Sequence, residues 1–183
     1  YGRFILKEKR KNPSDDLLSA IANAEIEGKE LTDEFLDGSW LLIIFAGNDT
    51  TRNTISGGIK LLHENQKQRE LLMRDSELLP NFIHETIRCV SPVIHMRRTS
   101  LQETEIRGQR IGPFEKISLW YGAANRDPDI FENPNEFNIL RENADKHLAF
   151  GIGRHTCLGK PIALMQLKEF YSQFLTRFKD FEL

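Results

Sequence analysis

Residues 150–159, FGIGRHTCLG, set a thiol behind a loop with two glycines, at the entry to a segment patterned as a helix. The N–H groups and positive end of a starting helix stabilise a thiolate, so Cys157 is placed to act as a nucleophile or a metal ligand. Gly151 and Gly153 permit backbone that a Cβ would forbid, and Gly159, one step into the helix, would let a flat group lie against the chain. An isolated cysteine beside a glycine turn is more often an ordinary packed thiol. Residues 46–51, AGNDTT, break an apolar run with Gly47, Asn48, Asp49, Thr50 and Thr51, and burying such groups costs free energy unless each finds a partner or a task. An acid beside an alcohol can relay protons, and helix hydroxyls can equally bond back to the preceding turn. Glu85 and Arg88, at i and i+3, share one helix face and can pair, a spacing also common on solvated helices. In HMRRTS, residues 95–100, alternation along a strand puts Arg97 and Arg98 on opposite faces, so only one of them can reach a given anion.

The elements that must position these residues divide the chain into two halves. The first reads helical. Ser14 can cap a helix through DDLLSAIANAE that Gly28 stops, and Thr32 can cap a second from residue 33 to about residue 65. At about 1.5 Å per residue the second would be close to 50 Å long, and its LLIIFA centre reads as buried. Shorter helices are expected at residues 66–73 and 79–89, the latter closed by Pro92. HMRRTS, ETEIRG and KISLWYG then read as short strands with turns at Gly108, Gly112 and Pro113. Residues 125–147 lack periodicity and read as a long coil, which in a compact domain usually has a function. A final helix is expected from residue 158 to about 178.

Composition excludes several classes. A net charge of −2 on 183 residues argues against a nucleic-acid binder, which needs a basic footprint over most of one face. The longest apolar run, WLLIIFA at residues 40–46, falls far short of the ~20 residues that span a bilayer. Two cysteines, Cys89 and Cys157, make no disulfide framework and fit a reducing cytoplasm. A zinc or copper site from Cys157, His155 and His147 would lack the usual paired spacing. Cys89 reads as a buried thiol, and His63, His84 and His147 as surface or core residues.

In content and order these segments resemble the cytochrome P450 family, bacterial soluble type, over nearly the whole chain but about half the family's usual length. The resemblance implies a mainly α fold with a small β region, residues 1–183 forming one partial domain from the C-terminal, haem-binding half. Its parts would be a long central helix, the ExxR helix, the β region, the coil, the cysteine loop and the final helix. FGxGxHxCxG implies Cys157 as the axial thiolate of haem b, which pushes electron density onto iron and favours O–O cleavage. Phe150, Gly151, Gly159, Ala46 and Gly47 would line the haem. His155 and Arg98 would reach its propionates, Arg98 because the family pattern reads R-x-A there, with Ser100 as a departure in the small position. Asp49 and Thr50 would relay protons. Glu85 and Arg88 would clamp the coil, with Arg141 as third member.

The implied activity is insertion of one oxygen atom of O2 into a C–H bond of an apolar substrate (alkane, fatty acid, terpenoid or sterol). No flavin or nicotinamide fingerprint is present, so electrons would come from a ferredoxin and its reductase. Arg141, Lys146, Arg154 and Lys160 around the cysteine could steer that acidic partner, or be ordinary surface cations. The alternatives are a haem-thiolate peroxygenase or isomerase, against which Asp49-Thr50 speaks, and a truncated fragment with little haem binding or activity.

Overall fold

The computed structural model describes residues 1–183. It contains seven α-helices: α1 (Gly2–Lys11), α2 (Leu17–Ala22), α3 (Asp33–Glu64), α4 (Gln66–Arg74), α5 (Leu79–Val90), α6 (Tyr121–Ala124) and α7 (Lys160–Arg177). Six short strands form three antiparallel pairs: β1 (Glu25–Ile26) with β2 (Lys29–Glu30), β3 (His95–Thr99) with β6 (Lys116–Trp120), and β4 (Thr104–Ile106) with β5 (Gln109–Ile111). The fold is mainly α, as expected. Two compact units are present, residues 1–49 and 50–183, and α3 carries the boundary between them.

In the first unit Leu6, Ala22, Leu31 and Leu36 are buried together, with Trp40 packed against them. Helix α1 has no counterpart in the sequence reading. Its apolar residues, Phe4, Ile5 and Leu6, are consecutive and do not recur at helical spacing, and it is fastened partly through Arg10, which donates to the Ala22 and Leu31 carbonyls at 2.7 Å each. The expected Ser14 cap is displaced to Asp16, whose carboxylate accepts the Ser19 N–H at 2.8 Å. The helix also stops earlier, at Ala22, and Gly28 ends no helix. Glu27 and Gly28 instead take φ of 52° and 73°, the left-handed pair that a tight β1–β2 turn requires.

Thr32 caps α3 as read, its hydroxyl accepting the Phe35 N–H at 3.3 Å, and 32 residues make a rod about 48 Å long. The expectation of a buried centre fails. Leu41 is 67% exposed and Phe45 71%, because the small first unit covers only the Leu36 face of the helix.

In the second unit α5 is the hub. Phe82 packs edge-on to Phe137 and to Tyr171 of α7, with Leu62, Ile83, Ile87 and Leu167 buried around them. Pro80 sits in the first turn of α5, and Ser91, in a left-handed conformation, ends it just before Pro92. ETEIRG and the unread GQRI form the β4–β5 hairpin, with Arg107 and Gly108 at positive φ in the turn. Between α6 and α7 the chain is coil broken by short 3₁₀ turns. Helix α7 starts at Lys160 rather than residue 158. Pro161 suits the first turn, where its missing N–H removes no helical bond, and Gly159 is the N-cap.

Candidate functional site

The cysteine loop is closed by backbone. The Cys157 N–H donates to the Phe150 carbonyl at 2.8 Å, and the Gly151 N–H to Leu148 at 2.8 Å. Gly151 and Gly153 both take φ of 68°. A Cβ on Gly151 would lie 3.1 Å from the His155 carbonyl, so that glycine is required twice over, by conformation and by space. The Cys157 carbonyl then accepts the Lys160 N–H at 3.2 Å and leads into α7. The loop thus brings Phe150, Gly151, His155, Cys157 and Gly159 together, with Cys157 a free, exposed thiol.

The donor set says what this thiol can hold. No three His, Cys, Asp or Glu side chains converge to hold a metal ion, and His147 is buried and paired with His84 at 3.3 Å, so the zinc or copper alternative finds no site. A single thiolate suits a metal that brings its other ligands with it. The flanking side chains agree: Ile152 is 75% and Leu158 74% exposed, an apolar surround suited to a flat apolar group. The residues present therefore fit a haem. Arg98 is half-buried on β3, with its guanidinium donating to the Arg97 carbonyl at 2.8 Å, and His155 is exposed.

Glu85 and Arg88 form a buried cluster, both fully buried. Arg88 donates to the two Glu85 oxygens at 2.7 and 2.8 Å, and Arg141 reaches the same carboxylate at 3.1 Å to each oxygen. Apart from one contact of Arg88 with the Cys89 sulfur, the remaining donors of both arginines go to coil carbonyls. Arg88 takes Asn125, Pro134 and Glu136 at 2.7–2.9 Å, while Arg141 takes Glu132, Asn133 and Glu136. Phe131 lies under the Arg88 guanidinium at 5.2 Å. Two buried cations and one anion thus fold the coil around α5. This placement corrects one expectation: Arg141, 8% exposed and wholly engaged, cannot belong to a surface basic patch. Lys146 and Arg154 are exposed, and Lys160 lies over the Phe150 ring at 5.6 Å. Cys89 sits on the edge of the cluster. Burial, and then the nearby Glu85, push its thiol up to about 11, which makes it a poor nucleophile at neutral pH.

Sequence reasoning missed Asn125, which is fully buried. Its amide donates to Ser91 at the end of α5 and accepts the Leu148 N–H at 2.7 Å, just before the cysteine loop. The only signal was its place at the start of the aperiodic stretch 125–147.

On α3, Ala46 and Gly47 are exposed while Asp49 and Thr50 are half-buried. The Thr50 carbonyl accepts the Thr54 hydroxyl at 2.8 Å, a local bond that competes with the helix ladder one turn after the acid–alcohol pair. Beyond it the Tyr171 hydroxyl of α7 donates to the α3 backbone, 2.9 Å from the Ile55 carbonyl.

The cytochrome P450 family model matches residues 3–182. The chain belongs to the cytochrome P450 family. It is 39% identical over 179 residues to linalool 8-monooxygenase of Pseudomonas putida, an alignment covering 98% of this chain and 44% of that protein. It is 38% identical over 183 residues to steroid C26-monooxygenase of Mycobacterium tuberculosis, covering 100% and 49%. Among solved structures, cytochrome P450-153 from Novosphingobium aromaticivorans superposes with a TM-score of 0.88 at 40% identity, over 97% of this chain and 45% of that one. The P450 chain described here therefore spans under half the length of these relatives. None of its helices is long and apolar enough to cross a membrane.

Proposed function

We propose that this chain supplies the haem-ligating part of a P450 monooxygenase that inserts one atom of O2 into a C–H bond of an apolar substrate. The observation that carries the reading is an exposed, unshared Cys157, held by a closed backbone loop just before α7 among apolar side chains. One relative is named a linalool 8-monooxygenase and another a steroid C26-monooxygenase, which favours substrates of that size and polarity.

Haem b, when bound, supplies the redox centre that activates oxygen, with the thiolate as electron donor to iron. The residues do the rest. The Phe150 carbonyl fixes the Cys157 backbone, which sets the direction of the sulfur, and Gly159 leaves the backbone beside it free of a side chain. His155 and Arg98 would offer donors for propionates, and Phe150 and Gly151 a small, flat surface for the ring. Glu85, Arg88 and Arg141 hold the coil and do not touch substrate. Thr50 orients a water by its hydroxyl, and the Asp49 carboxylate passes protons from solvent to it, a general-acid role. Electrons come from a ferredoxin and its reductase, docked near exposed Lys146 and Arg154, and the setting is cytoplasmic. A peroxygenase or isomerase has no use for this acid–alcohol pair.

The test is stoichiometric and uses the intact protein that carries these residues. A positioned proton relay contributes on the order of 10²–10⁴-fold. Thr50→Ala should keep haem and electron consumption, yet divert electrons from hydroxylated product to hydrogen peroxide. Asp49→Asn should slow turnover instead. A Thr50→Ala enzyme as tightly coupled as wild type would make Thr50 a packing residue.

A further inference from the structure

His84 and His147 have no part in the function described above. His84 precedes Glu85 on α5, and His147 closes the coil three residues before Phe150. Nδ1 of His84 lies 3.3 Å from Nε2 of His147, which is buried. On its other side, His147 Nδ1 faces the Ala149 N–H at 3.3 Å. A ring nitrogen that accepts must carry a lone pair. His147 Nδ1 therefore accepts, Nε2 carries the proton and donates to His84, and His84 in turn is protonated on Nε2. One backbone N–H thus fixes the tautomers of both rings and requires both to be neutral.

We propose that His84 and His147 form a titratable latch that positions the Cys157 loop. The path is short, running through hydrogen bonds and one ring contact. Helix α5 holds His84, His84 holds His147, and the His147 ring packs on the Phe150 ring at 5.6 Å. The Phe150 carbonyl in turn holds the Cys157 N–H. Protonating His84 on Nδ1 removes the acceptor, and protonating His147 on Nδ1 sets two donors against each other at Ala149. The first event breaks the tether to α5, and the second breaks the His147–Ala149 turn that aims the ring; either loosens the closed loop. The consequence for an iron ligand rests on the haem reading above; the latch itself does not.

The surroundings set the direction. Burial first, then His84, Lys160 and Arg88, hold His147 down to about 4, with Asp145 opposing. Burial and Lys160 lower His84, again against Asp145. In a released loop both imidazoles would titrate near their ordinary ~6.5. Between that value and about 4 the released form binds more protons, so the closed loop loses stability as pH falls and is unaffected above neutrality. For His147 alone, the closed-to-released ratio should drop roughly twentyfold from pH 7 to pH 5.

Two measurements on the intact protein that carries these residues test this. Imidazole ¹⁵N shifts at pH 7 should show both rings neutral and protonated on Nε2; a proton on Nδ1 of either would overturn the latch. Exchange of the Cys157 amide, corrected for its intrinsic pH dependence, should accelerate at pH 5 by at least the factor above, since both rings titrate. His84→Gln and His147→Gln should each weaken that acceleration, and together abolish it. Equal acceleration in the double variant, or none in wild type, would overturn the proposal. Failure of either readout counts against the latch alone, whereas absence of a thiolate-type haem spectrum counts against the haem reading alone.

Discussion

Two arginines from distant parts of the sequence converge on Glu85, one from its own helix and one from the coil 56 residues on. Removing one partner from a buried pair costs about 3–5 kcal/mol, because the other charge stays in the interior. Glu85→Ala leaves two such charges, whereas Arg141→Ala leaves Glu85 still paired with Arg88. Glu85→Ala should therefore lower stability by at least that amount and Arg141→Ala by less, read as urea midpoints and as yield of folded protein. Near wild-type stability in Glu85→Ala would show that the cluster contributes nothing to holding the coil. The i, i+3 spacing of Glu85 and Arg88 was legible in the sequence, but not its burial, since exposed pairs have the same spacing. Arg141 could be named only through the family resemblance, because a coil whose bonds run to backbone carbonyls leaves no periodic trace. His84 and His147, 63 residues apart, gave no signal at all.

At the scale of elements, the junction of α3, α5 and α7 is the tightest place. A Cβ on Gly58 would lie 2.0 Å from the Tyr171 hydroxyl and 2.8 Å from Thr86 Cγ2. Tyr171 cannot swing away freely, since its ring packs on Phe82 and its hydroxyl bonds the α3 backbone. Overpacking of this kind costs about 1–3 kcal/mol. Gly58→Ala should destabilise by that amount, and adding Tyr171→Phe should recover part of it by removing the clashing oxygen. Strict additivity of the two substitutions in denaturant unfolding would place them out of contact. Caps, prolines and apolar spacing made α3, α4, α5 and α7 readable to within two residues at their ends. Helix α1 and the β1–β2 hairpin were not readable, because their stability comes from packing and from left-handed turn residues. The LLIIFA segment shows the limit from the other side: hydrophobicity states what favours burial, not which neighbours are there to cover it.

For the whole molecule, family membership rests on a match along almost the full chain, while activity concerns the intact protein that carries these residues, of which relatives have more than twice the length. Everything functional then turns on which atom meets the iron. The two cysteines give a direct comparison, one exposed at the start of α7 and one beside the buried Glu85–Arg88 pair. The measurement is the visible spectrum of the reduced, carbon-monoxide-treated intact protein, for wild type, Cys157→Ser and Cys89→Ser. The strongly red-shifted band of a thiolate-ligated haem should appear in wild type and Cys89→Ser and be lost in Cys157→Ser. That band persisting in Cys157→Ser would contradict the account at its centre.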